Sequence, residues 1–248
     1  MKCLAESAIA TLAGPLRFVG LKLGPSHRVS FFEPVLYSRL RQRGQITFVQ
    51  IGANDGKRFD PINAFIRRNR KRVSGIVVEP ISEYFDRLSC TYSKFPAITP
   101  ICRAVHATAD KKTLFKIAPD IASRFSESVK GMASFDKGHL KRAGIPDEYI
   151  AKEEVTCITI SRLLADHSIT DLDLLQIDTE GYDAEIIRSF PFETVRPAII
   201  HFEHGVPSGL MTRRDFSELA AYLHSFDYEI AMERFDATAY QIGVVVDQ

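Results

Sequence analysis

The chain has 248 residues, of which 45% are hydrophobic and 25% charged, so we expect one large globular domain with a packed core. Its 32 basic and 31 acidic residues give a formal net charge of +1, which provides no overall field that would attract nucleic acid. The four cysteines are widely scattered without a CxxC pair, which favours reduced, mostly buried thiols and a cytoplasmic protein.

Residues 1–45 are expected to form an N-terminal helical arm that precedes the main domain, residues 46–248. Apolar residues recur at helical spacing between Met1 and Gly24, but Glu6 interrupts them, and no segment has the ~20 consecutive apolar residues of a membrane span. We expect this helix to pack on the domain. The alternative is a helix that lies on a membrane surface, so peripheral membrane contact through the arm stays open.

Strands and helices alternate from Ile46 onward, which is typical of a mostly parallel sheet covered by helices on both faces. The predicted strands are Ile46–Ile51, Gly75–Pro80, Ala97–Val105, Leu172–Asp178 and Pro197–His204, and YEIAMERF and AYQIGVVVD form a closing antiparallel pair. The predicted helices are one that Asp60 caps with Pro61 in its first position, then Ile81–Lys94, AEIIRSF and Arg213–Phe226.

The alternation stops between about residues 107 and 154, where TLFKI is the short strand that the sequence predicts. The rest of this insertion has scattered charges and turns, and long irregular insertions in compact domains usually carry function or mobility. We expect it to form part of a lid over the site and to select the acceptor. A basic run, Arg67 to Arg72, complements the dipole at a helix C-terminus, so no nucleic-acid partner is expected.

The stretch GANDG, Gly52 to Gly56, directly follows the first strand. A hairpin is the alternative interpretation, but the following KRFDPINAFIRR has helical spacing and a proline that a central strand excludes. A strand–loop–helix unit is therefore favoured, and its glycines let the backbone approach a ligand at the carboxyl end of the sheet. The pattern is not GxGxxG, and Asp55 would repel a diphosphate, so we expect a cationic or polar ligand.

Glu79 ends the second predicted strand, where a carboxylate can bind both hydroxyls of a ribose. A nucleoside with a positive centre and no phosphate matches both this position and the charge of Asp55. S-adenosylmethionine combines a ribose with a sulfonium and an amino group. We therefore expect it to be the cofactor.

With GANDG, VVEP and LLQIDTEGYDAEII in this order, the chain resembles the FkbM family of class I S-adenosylmethionine-dependent methyltransferases from about Thr47 to Glu203. The resemblance implies a Rossmann-like α/β fold with a seven-stranded, mostly parallel sheet whose last strand is antiparallel. It also implies O-methylation, commonly of sugar hydroxyls in glycans, glycolipids or natural products. By position, the implied cofactor residues are Gly52, Ala53, Asn54, Asp55 and Gly56 around the methionine half, Glu79 and Pro80 at the ribose, and Ala104, within Arg103–His106, near adenine.

Methyl transfer to a hydroxyl requires alignment and benefits from a general base. The candidate bases at the ends of the fourth and fifth strands are Asp178, Glu180, His201, Glu203 and His204. By analogy with class I enzymes, we expect Asp178 to lie nearest the transferable methyl, in contact with the cofactor. Glu180 either contacts the substrate or is a structural acid at a helix start. Asp178 and His204 are the expected acceptor-activating pair.

HFEH also permits a metal interpretation, in which His201 and Glu203 join Asp178 around a divalent ion. A histidine on a strand more often hydrogen-bonds within the core, so we expect no catalytic metal.

Two other functions stay open beside transfer to a saccharide-containing small molecule or glycan. A nicotinamide-dependent oxidoreductase of the Rossmann type could use Glu79 for its ribose, although the missing GxGxxG and the acid in the loop argue against it. A non-catalytic module that binds the cofactor or a glycan would not need the acids and His204 at the strand ends.

Overall fold

Strands and helices alternate along the part of the chain that the computed structural model describes, residues 30–108 and 110–244. The strands are β1 (Ile46–Ile51), β2 (Val73–Val78), β3 (Ile98–Ile101), β4 (Ala104–Val105), β5 (Lys111–Ile117), β6 (Ala133–Ser134), β7 (Ile150–Ile158), β8 (Leu174–Ile177), β9 (Ile199–Glu203), β10 (Tyr228–Met232) and β11 (Asp236–Gln241). The α-helices are α1 (Phe32–Arg43), α2 (Asn63–Arg68), α3 (Ser82–Tyr92), α4 (Glu127–Lys130), α5 (Lys137–Arg142), α6 (Ile160–Asp166), α7 (Asp183–Arg188) and α8 (Arg213–His224).

The main sheet has seven strands in the order β10-β11-β9-β8-β1-β2-β3. Strand β11 runs antiparallel to both β9 and β10, and the other neighbouring pairs are parallel, which confirms the predicted fold class. The chain proceeds outward from β1 to β2 and β3 on one side, and later to β8 and β9 on the other. This reversal opens a crevice at the carboxyl ends of β1, β2 and β8, where ligands of open α/β sheets bind.

Both faces of the main sheet are covered, which explains why its strands are nearly continuous apolar runs. On one face, Val49 and Ile51 of β1 lie in a core with residues of α6, α7 and α8. On the other face, Phe48 lies in a core with residues of α1, α2 and α3. Gln50 therefore shares its side of the sheet with Phe48, at the carboxyl end of the strand.

A second, four-stranded sheet in the order β4-β7-β5-β6 lies outside the main one. The sequence predicts β5 but not β7, a nine-residue strand whose residues 150–156 pair with all of β5. Lys152, Glu153 and Glu154 hide the alternation of β7, because its buried side chains, Val155 and Cys157, both lie among its last four residues. The predicted third strand is in fact two, because the chain leaves the main sheet after Ile101 to pair with β7.

Helix α1 lies within the predicted N-terminal arm and packs on the sheet through Phe32, Val35, Leu36 and Leu40. The expected helix between Met1 and Gly24 lies outside the described residues. In the part of the chain that is described, the structure has no helix of the length and apolarity that a membrane crossing requires. Only the first two residues of the basic run, Arg67 and Arg68, lie in the last turn of a helix, because α2 ends at Arg68. Cys90 is exposed, so the prediction of mostly buried thiols holds only for Cys157 among the described cysteines.

Candidate active site

A cavity of about 270 Å³ lies at the carboxyl ends of β1, β2 and β8, with the second sheet as its outer wall. It brings together nine of the residues that the sequence singled out: Gly52, Ala53, Asn54, Asp55, Glu79, Pro80, Ala104, Asp178 and Glu180. Four others do not line it: Gly56, His201, Glu203 and His204. Strands β1, β2 and β8 pair in register, so the ends of these elements fix the cavity floor.

Two glycines of the loop after β1 are required because neighbouring atoms leave no room for a Cβ. Gly52 has φ +78°, and a Cβ there would lie 1.8 Å from the carbonyl oxygen of Asp178, so only glycine lets the ends of β1 and β8 meet. Gly56 has φ +66°, and its Cβ would meet Leu88 and Tyr92 of α3 at 2.7 and 2.8 Å. The expectation that Gly56 contacts the cofactor is therefore corrected: it seats the loop on α3.

The remaining loop residues hold the turn in shape. Asn54 adopts a left-handed conformation with φ +47°, and its amide nitrogen Nδ2 donates to the carbonyl of Gly131 in the insertion at 3.3 Å. Asp55 Oδ1 accepts from the backbone N–H groups of Lys57 and Arg58, both at 2.9 Å. One oxygen of Asp55 thus caps its own turn, which the sequence interpretation as a partner for a cation did not foresee.

Glu79 is buried at the end of β2 and is fixed by the backbone. Its Oε2 accepts from the N–H of Asn54 and its Oε1 from the N–H of Ile81, each at 2.9 Å. Burial raises the pKa of Glu79 to about 7, against the lowering effect of these hydrogen bonds. Each carboxylate oxygen keeps a second lone pair, so Glu79 can still accept a hydroxyl hydrogen bond from a ligand.

Three buried side-chain oxygens at the cavity have no hydrogen-bond partner among the described residues: Gln50 Oε1, Gln176 Oε1 and Asp60 Oδ2. Gln50 and Gln176 are register partners on β1 and β8. Asp60 uses its other oxygen for the N–H groups of Ile62 and Asn63, and burial raises its pKa. Buried acceptors without donors are costly, so these oxygens indicate a ligand that carries N–H groups.

Carboxyl groups gather where β8 and β9 end and β11 begins: Asp178, Glu180, Asp183, Glu203 and Asp236. Burial and the neighbouring acids raise the pKa of Asp178 well above its usual value and that of Glu203 to about 9. Burial raises the pKa of Asp183 and Asp236 to about 6. Asp183 has a structural role, because it accepts from the N–H of Thr179 and of Glu203 and so ties β8 to β9.

His204 is not placed to act as a base. It is fully buried, the N–H of Val206 donates to its Nδ1, and its Nε2 lies 3.2 Å from the carbonyl oxygen of Glu233. A carbonyl only accepts, so Nε2 carries the proton and neither ring nitrogen has a lone pair for a substrate. Burial also lowers the pKa of His204. The predicted pairing of His204 with Asp178 is therefore corrected.

His201 is likewise part of the core. Its Nδ1 lies 3.0 Å from Thr238 Oγ1, and its ring stacks on Phe32 with centroids 3.9 Å apart. Burial lowers the pKa of His201 to about 3. The described residues contain no group of three or more His, Cys, Asp or Glu side chains arranged to hold a metal ion, so HFEH gives no such centre there.

Within the stretch expected near adenine, Arg103, Ala104 and Val105 line the cavity. His106 does not, and stacks instead on Tyr182 with centroids 4.8 Å apart.

Sequence reasoning missed Gln50, Asp60 and Gln176, and also Lys116 of β5, which lines the cavity. The two glutamines could have been predicted, because each is the amide residue near the end of a mostly apolar strand, ITFVQI or LLQI.

The structure resembles several solved methyltransferases at low sequence identity. An O-methyltransferase from Bacillus cereus in complex with SAH is 10% identical, with 97% of this chain and 91% of that chain covered and a TM-score of 0.44. A precorrin-6y C5,15-methyltransferase from Geobacter metallireducens is 13% identical, with 89% and 91% covered and a TM-score of 0.42. No curated protein sequence matches the chain significantly.

The model of the methyltransferase FkbM domain matches residues 50–230, which is most of the chain and includes the carboxyl ends of the strands that form the cavity floor. The chain therefore belongs to the FkbM methyltransferase family and is an S-adenosylmethionine-dependent methyltransferase.

Proposed function

We propose that the protein is an O-methyltransferase that acts on a hydroxyl group of a saccharide-containing small molecule or glycan. The observation that carries the proposal is the pair of acidic side chains, Asp178 and Glu180, at the edge of the cofactor cavity. A neutral hydroxyl must lose its proton on methylation, and a carboxylate beside the reacting atoms can take it. The family match argues against the nicotinamide-dependent and non-catalytic alternatives.

The residues of the cavity fit S-adenosylmethionine group by group. The oxygens of Gln50, Gln176 and Asp60 without partners suit its ammonium group, which offers three N–H donors. Glu79 suits a ribose hydroxyl. Arg103 to Val105 form the wall that is left for the adenine, at the junction of the two sheets.

The bound cofactor supplies a methyl group on a sulfonium, which is already activated for displacement. The protein has to bind the acceptor in line with that methyl group, exclude water and receive the hydroxyl proton. Burial and the neighbouring acids raise the pKa of Asp178, which disfavours its ionised form in the ligand-free protein. A sulfonium nearby would favour its ionised form.

Transfer of labelled methyl groups from S-adenosylmethionine to a cell glycan extract tests the proposal. We expect label in the saccharide fraction that survives mild base, because methyl ethers are stable there and methyl esters are not. Absence of incorporation, or label that mild base removes, would contradict O-methylation of a sugar hydroxyl.

A further inference from the structure

A second cavity, of about 290 Å³, lies beside the cofactor cavity. Glu180 lines both, so its carboxyl group stands at the boundary between them. The remaining wall of the second cavity comes from the insertion, including His139 and Arg142, and from the ends of β9 and the segment after it, including Glu203 and Ser208. A molecule in this cavity would therefore lie next to the cofactor with one carboxyl group in reach of both.

Glu180 is held in a fixed position. Its backbone is left-handed, with φ +54°, which is uncommon for a residue with a side chain. Ser134 Oγ donates to its carbonyl oxygen at 2.7 Å, and His139 Nε2 lies 2.8 Å from its Oε2. An ionised carboxylate only accepts, so His139 donates to Glu180 from Nε2. Two elements of the insertion thus hold Glu180: β6 fixes its backbone and α5 orients its side chain.

The chemistry of the second cavity suits an uncharged polyhydroxylated ring. Glu203, Ser208 and Arg142 provide donors and acceptors, whereas Leu210 and Phe235 provide apolar surface. No described residue donates a hydrogen bond to the Glu203 carboxyl group, and its pKa is raised to about 9, so in neutral solution it can both donate and accept. A sugar ring presents hydroxyl groups at its edge and a C–H surface on its face, which matches this mixture.

We propose that the second cavity binds a sugar ring of the acceptor and that Glu180, oriented by His139, accepts the proton of the hydroxyl that is methylated. This inference rests on the proposed function. The acceptor oxygen forms a bond to the methyl carbon as the bond from that carbon to sulfur breaks, and the electron pair of that bond stays on sulfur. The hydroxyl proton goes to Glu180 and then to water. Glu180 is thus the catalytic residue and His139 a positioning residue.

Binding is tested first, without turnover. The protein is saturated with S-adenosylhomocysteine, and a panel of methyl glycosides of common hexoses, pentoses and deoxyhexoses is screened by ligand-observed NMR. We expect at least one glycoside to bind. Ala143→Trp, which fills the second cavity from an exposed position, should abolish this binding and leave the affinity for S-adenosylhomocysteine within twofold. Ala165→Trp, at an exposed position outside both cavities, is the matched control and should bind the glycoside normally.

Turnover of the glycoside that binds then tests the two residues. Glu180→Gln should lower kcat ~10²-fold or more with unchanged affinity for S-adenosylhomocysteine. His139→Ala should lower kcat ~10-fold or more without raising KM, and His139→Gln, whose amide can still donate to Glu180, should recover most of that loss. A merely structural role for His139 would give equal losses in both variants.

The outcomes separate the two proposals. If S-adenosylhomocysteine binds but no glycoside does, or if Ala143→Trp binds the glycoside as well as Ala165→Trp does, the assignment of the second cavity is overturned and the cofactor site stands. If a glycoside binds but His139→Gln is as slow as His139→Ala, the positioning role is overturned. If a glycoside binds and is not methylated, the proposed function fails rather than the location of the binding site.

Discussion

The two cavities that share Glu180 are built in different ways. The cofactor cavity has its floor at strand ends that register pairing and two glycines with positive φ hold together. The second cavity is walled by side chains of short helices and loops, such as His139 of α5 and Ser208. The first is therefore fixed by the fold itself, whereas the second can change by substitution without disturbing the sheet.

The largest expected effect concerns the strand ends. Gly52→Ala forces a Cβ against the carbonyl oxygen of Asp178, so we expect a loss of ~3–5 kcal/mol in the free energy of unfolding. Gly209→Ala is the matched control, because Gly209 has nearly the same φ, +77°, with nothing within 4 Å of the added Cβ. It should cost only ~1 kcal/mol. Chemical denaturation of both variants measures the difference, and equal losses would refute the close-packing argument.

The next effect is on cofactor affinity. Asp60→Asn removes the charge from a buried carboxyl group that lines the cavity, and S-adenosylhomocysteine should bind ~10–100-fold more weakly, as for a lost charge-assisted hydrogen bond. Asp55→Asn is the control on the same loop, since one oxygen of Asp55 caps its own turn. Calorimetric titration should show less than a threefold change for Asp55→Asn. A larger loss of affinity in Asp55→Asn than in Asp60→Asn would instead support Asp55 as the partner of the cation.

A third prediction concerns pH and the acids that border the two cavities. Glu79 and Glu203 have folded pKa values of about 7 and about 9, both above their unfolded values. Between the unfolded and the folded pKa of each acid, the folded state binds more protons than the unfolded state. The stability that the protonated forms confer is therefore lost as the pH rises from about 4.5 to about 9.

Thermal unfolding of the ligand-free protein at pH 5, 7 and 9 measures this loss, and Tm should fall at each step. Glu79→Gln should flatten the change between pH 5 and 7 and leave the change above pH 7 in place. A Tm that rises across this range would contradict the burial of these two acids.

The smallest effect on activity is expected at His204, which is buried and lines neither cavity. His204→Asn removes a buried hydrogen bond to Glu233 or Val206 and should cost ~1–3 kcal/mol of stability, with kcat changed less than threefold. His139→Ala should show the reverse pattern, with kcat lowered ~10-fold or more. Activity assays below the Tm of each variant make this comparison. A large loss of kcat in His204→Asn would restore the base that the sequence suggested.

Much of the lining of the first cavity, at the carboxyl ends of β1, β2 and β8, could be predicted because its residues follow strands in the chain. GANDG, Glu79 and Asp178 stand directly after apolar runs, and parallel strands end at one edge of a sheet. His204 was predicted to be a base for the same reason, its position at a strand end. Such a position does not determine which way a side chain points, and His204 is buried in the core.

His139 could not be predicted, because its contact with Glu180 spans 41 residues and depends on how the insertion folds over the sheet. Strand β7 anchors that insertion. Its sequence does not show the alternation of apolar and polar residues that predicts a strand, because charged residues occupy its middle.

Titration of S-adenosylhomocysteine into the wild type, Asp60→Asn and Ala143→Trp tests the central claim, that one cavity holds the cofactor and its neighbour the acceptor. We predict one binding site in the wild type, affinity reduced ~10–100-fold in Asp60→Asn, and affinity within twofold of wild type in Ala143→Trp. No binding to the wild type, or a loss in Ala143→Trp as large as that in Asp60→Asn, would contradict it.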